Sequence, residues 1–424
     1  MAGSTVIEGE IDIVGQKINL YKFNKTGAPI NIYPQVTSIE IYESIYNYTL
    51  TCDVVMQDGI DLLNHFPIAG EEIVEFSIQT PGKRELSYTF LVESVIDYKI
   101  APNSMQAFYT LRCVTMDFLR NSFTLISKRY TNQNYDVAVR ECLNQDLQTD
   151  KPVEVEGTKG KFDFVVNSVR PFQIIDLLLE RSVSASNKSS HFVFYEDVDS
   201  YRFLTIEKLI NDRKGKANEL QFYHDVANRV GNFGEVLNFR NILEYQIVNQ
   251  GSSVDKVRAG NMNREIRQFD VLHGDYFDKY AYVNVNDHSQ FVKMDASFDL
   301  NSDAYSSFAS QKPAASGMVF KDGTRPEMQH NKNIVWQRPF SGKIEEYSVN
   351  MRVYGDTDIL VGDVVKLNLP EATFSNSTPK KAERWSENYL ITQLRHTILK
   401  QGSSNKYISF LVMDLRKPNA NAAI

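Results

Sequence analysis

A chain of 424 residues is too long for one ordinary core, and roughly two to four domains are expected. With 42% hydrophobic and 23% charged residues it is not a disordered chain. A formal net charge of −7 argues against the basic footprint of a sequence-reading nucleic-acid binder, although nucleic acid could still pass without being held. Aromatic residues make up 12%, with 22 Tyr and 25 Phe but only 2 Trp, a balance that suits pleated faces and contact surfaces. The three cysteines, Cys52, Cys113 and Cys142, are widely spaced and form no CxxC, so neither a zinc site nor a disulfide framework is indicated. Each reads as a small buried apolar residue in a chain that folds in a reducing compartment. Met1 to Gln16 carries no apolar core of signal-peptide length, and no run reaches the roughly 18 apolar residues of a membrane span. The expectation is a protein soluble in the cytoplasm when made, without stable membrane insertion.

In chain order, Ile11–Tyr21 and Ile30–Tyr33 read as short strands. Val36 to Met56 alternates, most regularly at Asn47–Val54, and Asp58-Gly59 turns the chain. A short turn at Asp61–Phe66 precedes Pro67–Val74, the strand Phe76–Ile78, and a strand pair, Phe90–Tyr98 and Phe108–Thr115. At Asp117 the period changes. Asn134 can cap a helix with Tyr135, Ala138, Val139, Cys142 and Leu143 on one face, and Pro171 opens a second helix, buried through Phe172, Ile175, Leu178 and Leu179. Asp150–Gly160 reads as a polar link, and an aromatic hairpin runs His191–Tyr195, turn Glu196–Ser200, Tyr201–Ile206. Tyr245–Val248 reads as a strand, 251–333 as a polar, loop-rich insertion with its best strand at Ala281–Val285, and Ile344–Tyr354 as renewed alternation.

The order of the Pro67–Asp117 stretch returns near the C-terminus. Ile359–Val365 leads into Lys366–Leu369, and Tyr389–Leu399 pairs with Lys406–Met413, ending in Met413-Asp414 as the first ends in Met116-Asp117. Two copies of one β module in one chain would let three chains build a ring with a near-sixfold face.

No catalytic signature stands out. Phosphate-cradling loops, His-Glu-x-x-His and a Gly-x-Ser-x-Gly elbow are all missing from the sequence. His224-Asp225, His273 with Asp275, and Asp287-His288 are neighbours of the kind chance supplies among 53 acidic residues. His65 reads as a turn residue and His191 as a strand-face residue, while Glu71-Glu72 and Glu196-Asp197 read as turn or solvated pairs. The aromatics Phe192, Phe194, Tyr195, Tyr201 and Phe203 could offer a sugar or base platform, against the simpler reading of a hairpin packed on two helices. No catalytic, metal or cofactor site is expected.

The arrangement resembles the central baseplate hub protein of contractile-tailed bacteriophages, and more distantly the hub part of type VI secretion spike proteins. The segments that carry the likeness are Ile41–Ile45 with Val54–Gly59, Pro67–Glu72, and Tyr109–Leu111 through Asn121 to Tyr130. They continue with Pro171–Asp176, Phe192–Asp197, Gly355-Asp356 and Val361–Val365. The resemblance implies a mainly β fold with an α+β insertion: two tube-like antiparallel β-barrel or sandwich modules, an inserted α+β domain and a loop-rich insertion. The expected divisions are 1–117 for the first tube-like domain, 118–234 for the α+β domain, and 235–250 with 334–415 for the second tube-like domain. Residues 251–333 form the insertion and 416–424 a flexible tail. It further implies a non-enzymatic homotrimer that matches the sixfold tail tube protein to the trimeric central spike protein. Baseplate wedge proteins, and a tape measure protein, are implied neighbours, and DNA would pass through the lumen unbound. Assembly would occur in the host cytoplasm and the finished protein would reside in the virion. Ile41, Val54, Leu360 and Val361 are expected near subunit seams. The competing readings are a tail-associated cell-wall hydrolase, a glycan-binding tail module, or the hub of a contractile secretion or injection machine.

Overall fold

The computed structural model describes residues 9–23, 28–102, 106–186, 189–213, 215–223, 240–250, 265–270, 276–277, 316–321, 344, 347–371, 381–402 and 406–417. The first module comprises Glu10–Lys22 (β1), Ile30–Asn31 (β2), Val36–Ser44 (β3), Thr51–Asp58 (β4), one helical turn Leu62–His65 (α1), Glu72–Gln79 (β5), Glu85–Ile100 (β6) and Ala107–Val114 (β7). The alternation legible around Cys52 is a strand whose Cys52, Val54 and Met56 point inward, as period two requires of a strand with one wet face. Glu72 is not a solvated residue. Its carboxylate accepts the N–H groups of Ala69, Gly70 and Glu71 and pairs with Lys22 at 2.5 Å, which fixes the turn before β5. Those donors hold its carboxyl below the usual range despite burial, the Lys22 bond being the largest favourable cause.

The inserted domain runs through Met116–Phe123 (α2), Ile126–Asn134 (β8), Tyr135–Glu141 (α3), a π-helical turn at Cys142–Asp146, Val153–Val155 (β9), Lys161–Val169 (β10), Pro171–Leu179 (α4), Phe192–Glu196 (β11), Tyr201–Thr205 (β12) and Ile206–Arg213 (α5). Both helices expected from capping residue and apolar spacing are present. Four elements were not legible: the ribbon β8–β10, the short β9 and the helix α5. The ribbon buries only Ile126, Tyr130, Phe162 and Val166 between charged neighbours, too sparse for either period to show. β9 lies inside the expected polar link, recruited by parallel pairing with β12.

The second module contains Gln221–Tyr223 (β13), Ile242–Gln250 (β14), a small sheet of Glu265–Asp270 (β15), Tyr276–Phe277 (β16) and Ser316–Lys321 (β17), then Tyr347–Tyr354 (β18), Val364–Asn368 (β19), Asn388–Lys400 (β20) and Tyr407–Arg416 (β21). The expected strand Ala281–Val285 and residues 418–424 lie outside the described residues. The expected flexible tail 416–424 starts too early, since Arg416 ends β21 and Lys417 is buried with its ammonium donating to Arg384 O. β13 already pairs with β19, so the second sheet begins before residue 235.

The duplication is visible as topology. One sheet carries the run β5-β6-β7-β4-β3 and, from the other module, β19-β20-β21-β18-β14. The corresponding hairpins, β6–β7 and β20–β21, close with the same bond: Ala101 N–H to Gln106 O at 2.9 Å, and Gln401 N–H to Lys406 O at 2.8 Å. The second hairpin also belongs to the first module. β20 pairs with β3 and β21 with β1, so hydrogen bonding runs round a closed circuit, β1-β5-β6-β7-β4-β3-β20-β21. Closure removes open edges that would otherwise invite aggregation. Ile398 and Tyr407 of the hairpin tip are buried in the first core, while Leu394, Leu411 and Met413 further up are buried in the second.

Candidate functional site

The features that could serve an assembly function are the joint between the three bodies and the sheet face that spans the two modules. The joint is built of buried charge. Glu196, at the end of β11, has a side chain 1% exposed and lies 2.8 Å from Lys151 Nζ. It also accepts Leu50 N–H and the Thr115 hydroxyl, both from the first module. Next to it the fully buried Asp197 pairs with Arg202 at 2.6 Å. Arg213 of α5 reaches into the second module to Asp363 at 2.9 Å. Burial pushes the Glu196 and Asp363 carboxyls up, against the pull of Lys151 and Arg213 respectively. Glu196-Asp197 does open the turn, where Asp197 accepts the Asp199 and Ser200 N–H groups, but both are buried and neither is solvated. The aromatic hairpin is interior on both sides. Phe192, Phe194, Tyr201 and Phe203 pack on α3 and α4, and Val193, Tyr195 and Leu204 face the second core. No exposed sugar or base platform is formed by this set.

A second buried centre marks the seam where β3 meets β20. Glu43 and His396 have side chains 0% and 1% exposed and lie 3.8 Å apart. The Tyr88 hydroxyl, 3.4 Å away, donates to the Glu43 carboxyl. Burial, assisted by Asp197, pushes the Glu43 carboxyl up to about 8, and burial brings the His396 imidazole down to about 4. At neutral pH both are uncharged, which is how a core tolerates them. Neither was singled out from sequence, because only the β3–β20 register brings them together.

The opposite face of this sheet is continuous from β14 through β18, β21, β20, β3, β4 and β7 to β6. One row across it runs Tyr354, Phe410, Thr397, Glu40, Asp53, Arg112 and Ser94, and the next runs Glu244, Arg352, Val412, Arg395, Tyr42 and Thr51. Glu40 and Asp53 stand directly opposite, an arrangement that repels. Arg395 lies 3.9 Å from Glu40, Arg112 3.5 Å from Asp53, and the Tyr42 hydroxyl 2.5 Å from Glu40. Arg352 covers the Phe410 ring at 4.1 Å. The face is polar and locally charge-balanced.

All four residues expected near subunit seams have buried side chains within the single chain: Ile41 and Val54 at 0%, Leu360 at 5% and Val361 at 1%. Ile41 and Val54 belong to the first core and Val361 to the second. Ile41 is opposite His396, on the seam between the chain's own modules. His65 is on α1, His191 immediately precedes β11, and His224, His273 and His288 lie outside the described residues. Among the described residues no group of three or more His, Cys, Asp or Glu is placed to hold a metal ion. Among them, too, no helix is long and apolar enough to cross a membrane.

The chain is 22% identical over 391 residues to the probable baseplate hub protein gp334 of Vibrio phage KVP40, covering 86% of each chain. In sequence, then, the chain is similar to a phage baseplate hub protein. No protein-family model matches it. In fold the chain is similar to the 43 kDa tail protein of prophage MuSo2 from Shewanella oneidensis, at TM-score 0.51 and 11% identity, covering 95% of this chain and 98% of that one. A tail protein from Neisseria meningitidis MC58 matches at TM-score 0.53 and 8% identity, covering 95% of this chain and 96% of its own. These likenesses and the strand content agree on a mainly β fold shared with tail proteins.

Proposed function

We propose that this chain is a homotrimeric baseplate hub, joining a sixfold tail tube protein above to a trimeric central spike protein below. The observation that carries the reading is the repeated strand order within one sheet, β5-β6-β7-β4-β3 and β19-β20-β21-β18-β14. Three chains offer six similar modules, the number a sixfold tube must meet, while the chain count suits a threefold spike. The buried contacts of Glu196 with Leu50 and Thr115, and of Arg213 with Asp363, tie the inserted domain to both modules of each subunit, which a symmetry-matching ring requires. Ile41, Val54, Leu360 and Val361 support the seams from behind.

The continuous polar face is assigned to the lumen. Arginines neutralised in place by Glu40 and Asp53 give phosphates little to grip, so DNA slides past without specific binding. The hub does no covalent chemistry and needs no cofactor. Baseplate wedge proteins and a tape measure protein are its further neighbours, and it assembles in the host cytoplasm before residing in the virion. The deciding experiment is light scattering of the purified chain across a dilution series, alone and co-expressed with its spike, with negative-stain images of the product. A trimer with a six-lobed face is expected. A monomer under both conditions would overturn the reading.

A further inference from the structure

Cys52 on β4 and Cys113 on β7 stand directly opposite each other in the strand register. Opposed residues of an antiparallel pair project to the same face with Cα atoms about 4.5–5.5 Å apart, inside the roughly 4.4–6.8 Å that a disulfide spans. Both side chains are fully buried in the first core, with Val54 and Leu111 as the next opposed pair on the same face. Both are free thiols, and the third cysteine, Cys142, belongs to the separate core of the inserted domain. Sequence spacing gave no hint of this, since the two positions are brought together only by β4–β7 pairing.

We propose that Cys52 and Cys113 form a redox-convertible pair, which hydrogen peroxide oxidises to a cross-strand disulfide that ties β4 to β7 within the closed barrel. One thiolate attacks a peroxide oxygen. The S–O bond forms, the O–O bond breaks, and the departing hydroxide takes up a proton as water. The second thiol, as thiolate, then attacks the sulfenic sulfur. The S–S bond forms, the S–O bond breaks, and a second water leaves. Two thiols are thereby oxidised by two electrons, and one peroxide is reduced to two waters.

Hydrogen peroxide suits the site because its intermediate adds a single oxygen atom, whereas a mixed disulfide would force a bulky group into a packed core. Burial pushes both thiols well up, the carboxylates of Asp53 and its neighbours adding to it, so they are protonated at neutral pH and react slowly. Opening of the β4–β7 pairing sets the rate. The same burial shields the disulfide from reductants once the strands have closed over it.

The test treats the full chain with hydrogen peroxide in sub-denaturing urea, alkylates remaining thiols after unfolding, and maps peptides without reduction. The expected product is a crosslinked peptide pair joining Cys52 to Cys113, lighter by two hydrogens, with Cys142 alkylated. In Cys113→Ala, Cys52 loses its resolving partner and is expected to be captured by dimedone as the sulfenic acid, with no crosslink. Recovery of Cys52 and Cys113 both alkylated in the wild type, or a crosslink to Cys142, would overturn the proposal. Should Cys113→Ala not fold, the wild-type peptide map decides by itself.

Discussion

Replacing Glu43 by Gln removes the buried carboxyl beside His396 at the β3–β20 seam while keeping its shape. Burial raises the folded-state carboxyl to about 8 from an ordinary 4.5, so the native chain keeps a proton that the unfolded chain releases. A raised pKa contributes stability that is fully present below about 4.5 and is lost as pH rises through about 8. His396 works in the other direction. Its folded value, about 4 against an ordinary 6.5, contributes stability that is present above 6.5 and lost as pH falls through about 4. The two slopes offset between about 4.5 and 6.5, leaving the Glu43 limb exposed from there to about 8. At about 1.36 kcal/mol per pH unit this limb is worth roughly 2 kcal/mol. Glu207, pushed up to about 7 by burial, adds a limb of the same sign, which Glu43→Gln leaves in place. The quantity to read is therefore the difference between the two proteins, by urea denaturation at pH 6, 7 and 8. The variant should gain on the wild type by roughly 2 kcal/mol from pH 6 to 8. A constant difference across that range would refute a neutral, proton-holding Glu43.

Three further outcomes follow from the same geometry. Lys151→Ala leaves the buried Glu196 carboxyl without its cation, and should cost roughly 2–3 kcal/mol because an uncompensated buried charge remains; chemical denaturation reads it. Gly362 has φ +83°, and an added Cβ would fall 2.5 Å from the Tyr195 hydroxyl. Gly362→Ala should therefore destabilise by about 2–4 kcal/mol, and adding Tyr195→Phe should recover only the clash, not the backbone strain; equal stability of the single variant and wild type would contradict this. Deleting the chain from residue 388 onward removes β20 and β21 and opens the first barrel between β3 and β1. That fragment should be insoluble or aggregate on size exclusion, and a folded soluble monomer would show that the first module closes without the shared hairpin.

Period and turn chemistry determined much of the secondary structure from sequence alone. Cys52, Val54 and Met56 alternate strictly, Asn134 and Pro171 mark helix starts, and the returning order of apolar lead-in and strand pair announced a duplicated module. These signals are local, so they need no partner strand to be read. Tertiary structure decided everything that depends on register. It placed β20–β21 in both modules, set Glu43 beside His396, and put Cys52 opposite Cys113. It also turned Glu72, Glu196 and Asp197 from apparent surface acids into buried anchors. Lys22 and three neighbouring N–H groups hold Glu72; Leu50 and Thr115 of the first module reach Glu196; and Arg202 of the same hairpin pairs with Asp197. Charge tells a sequence reader that a residue prefers water. Only the fold reveals that the donors waiting for it in the interior replace that water.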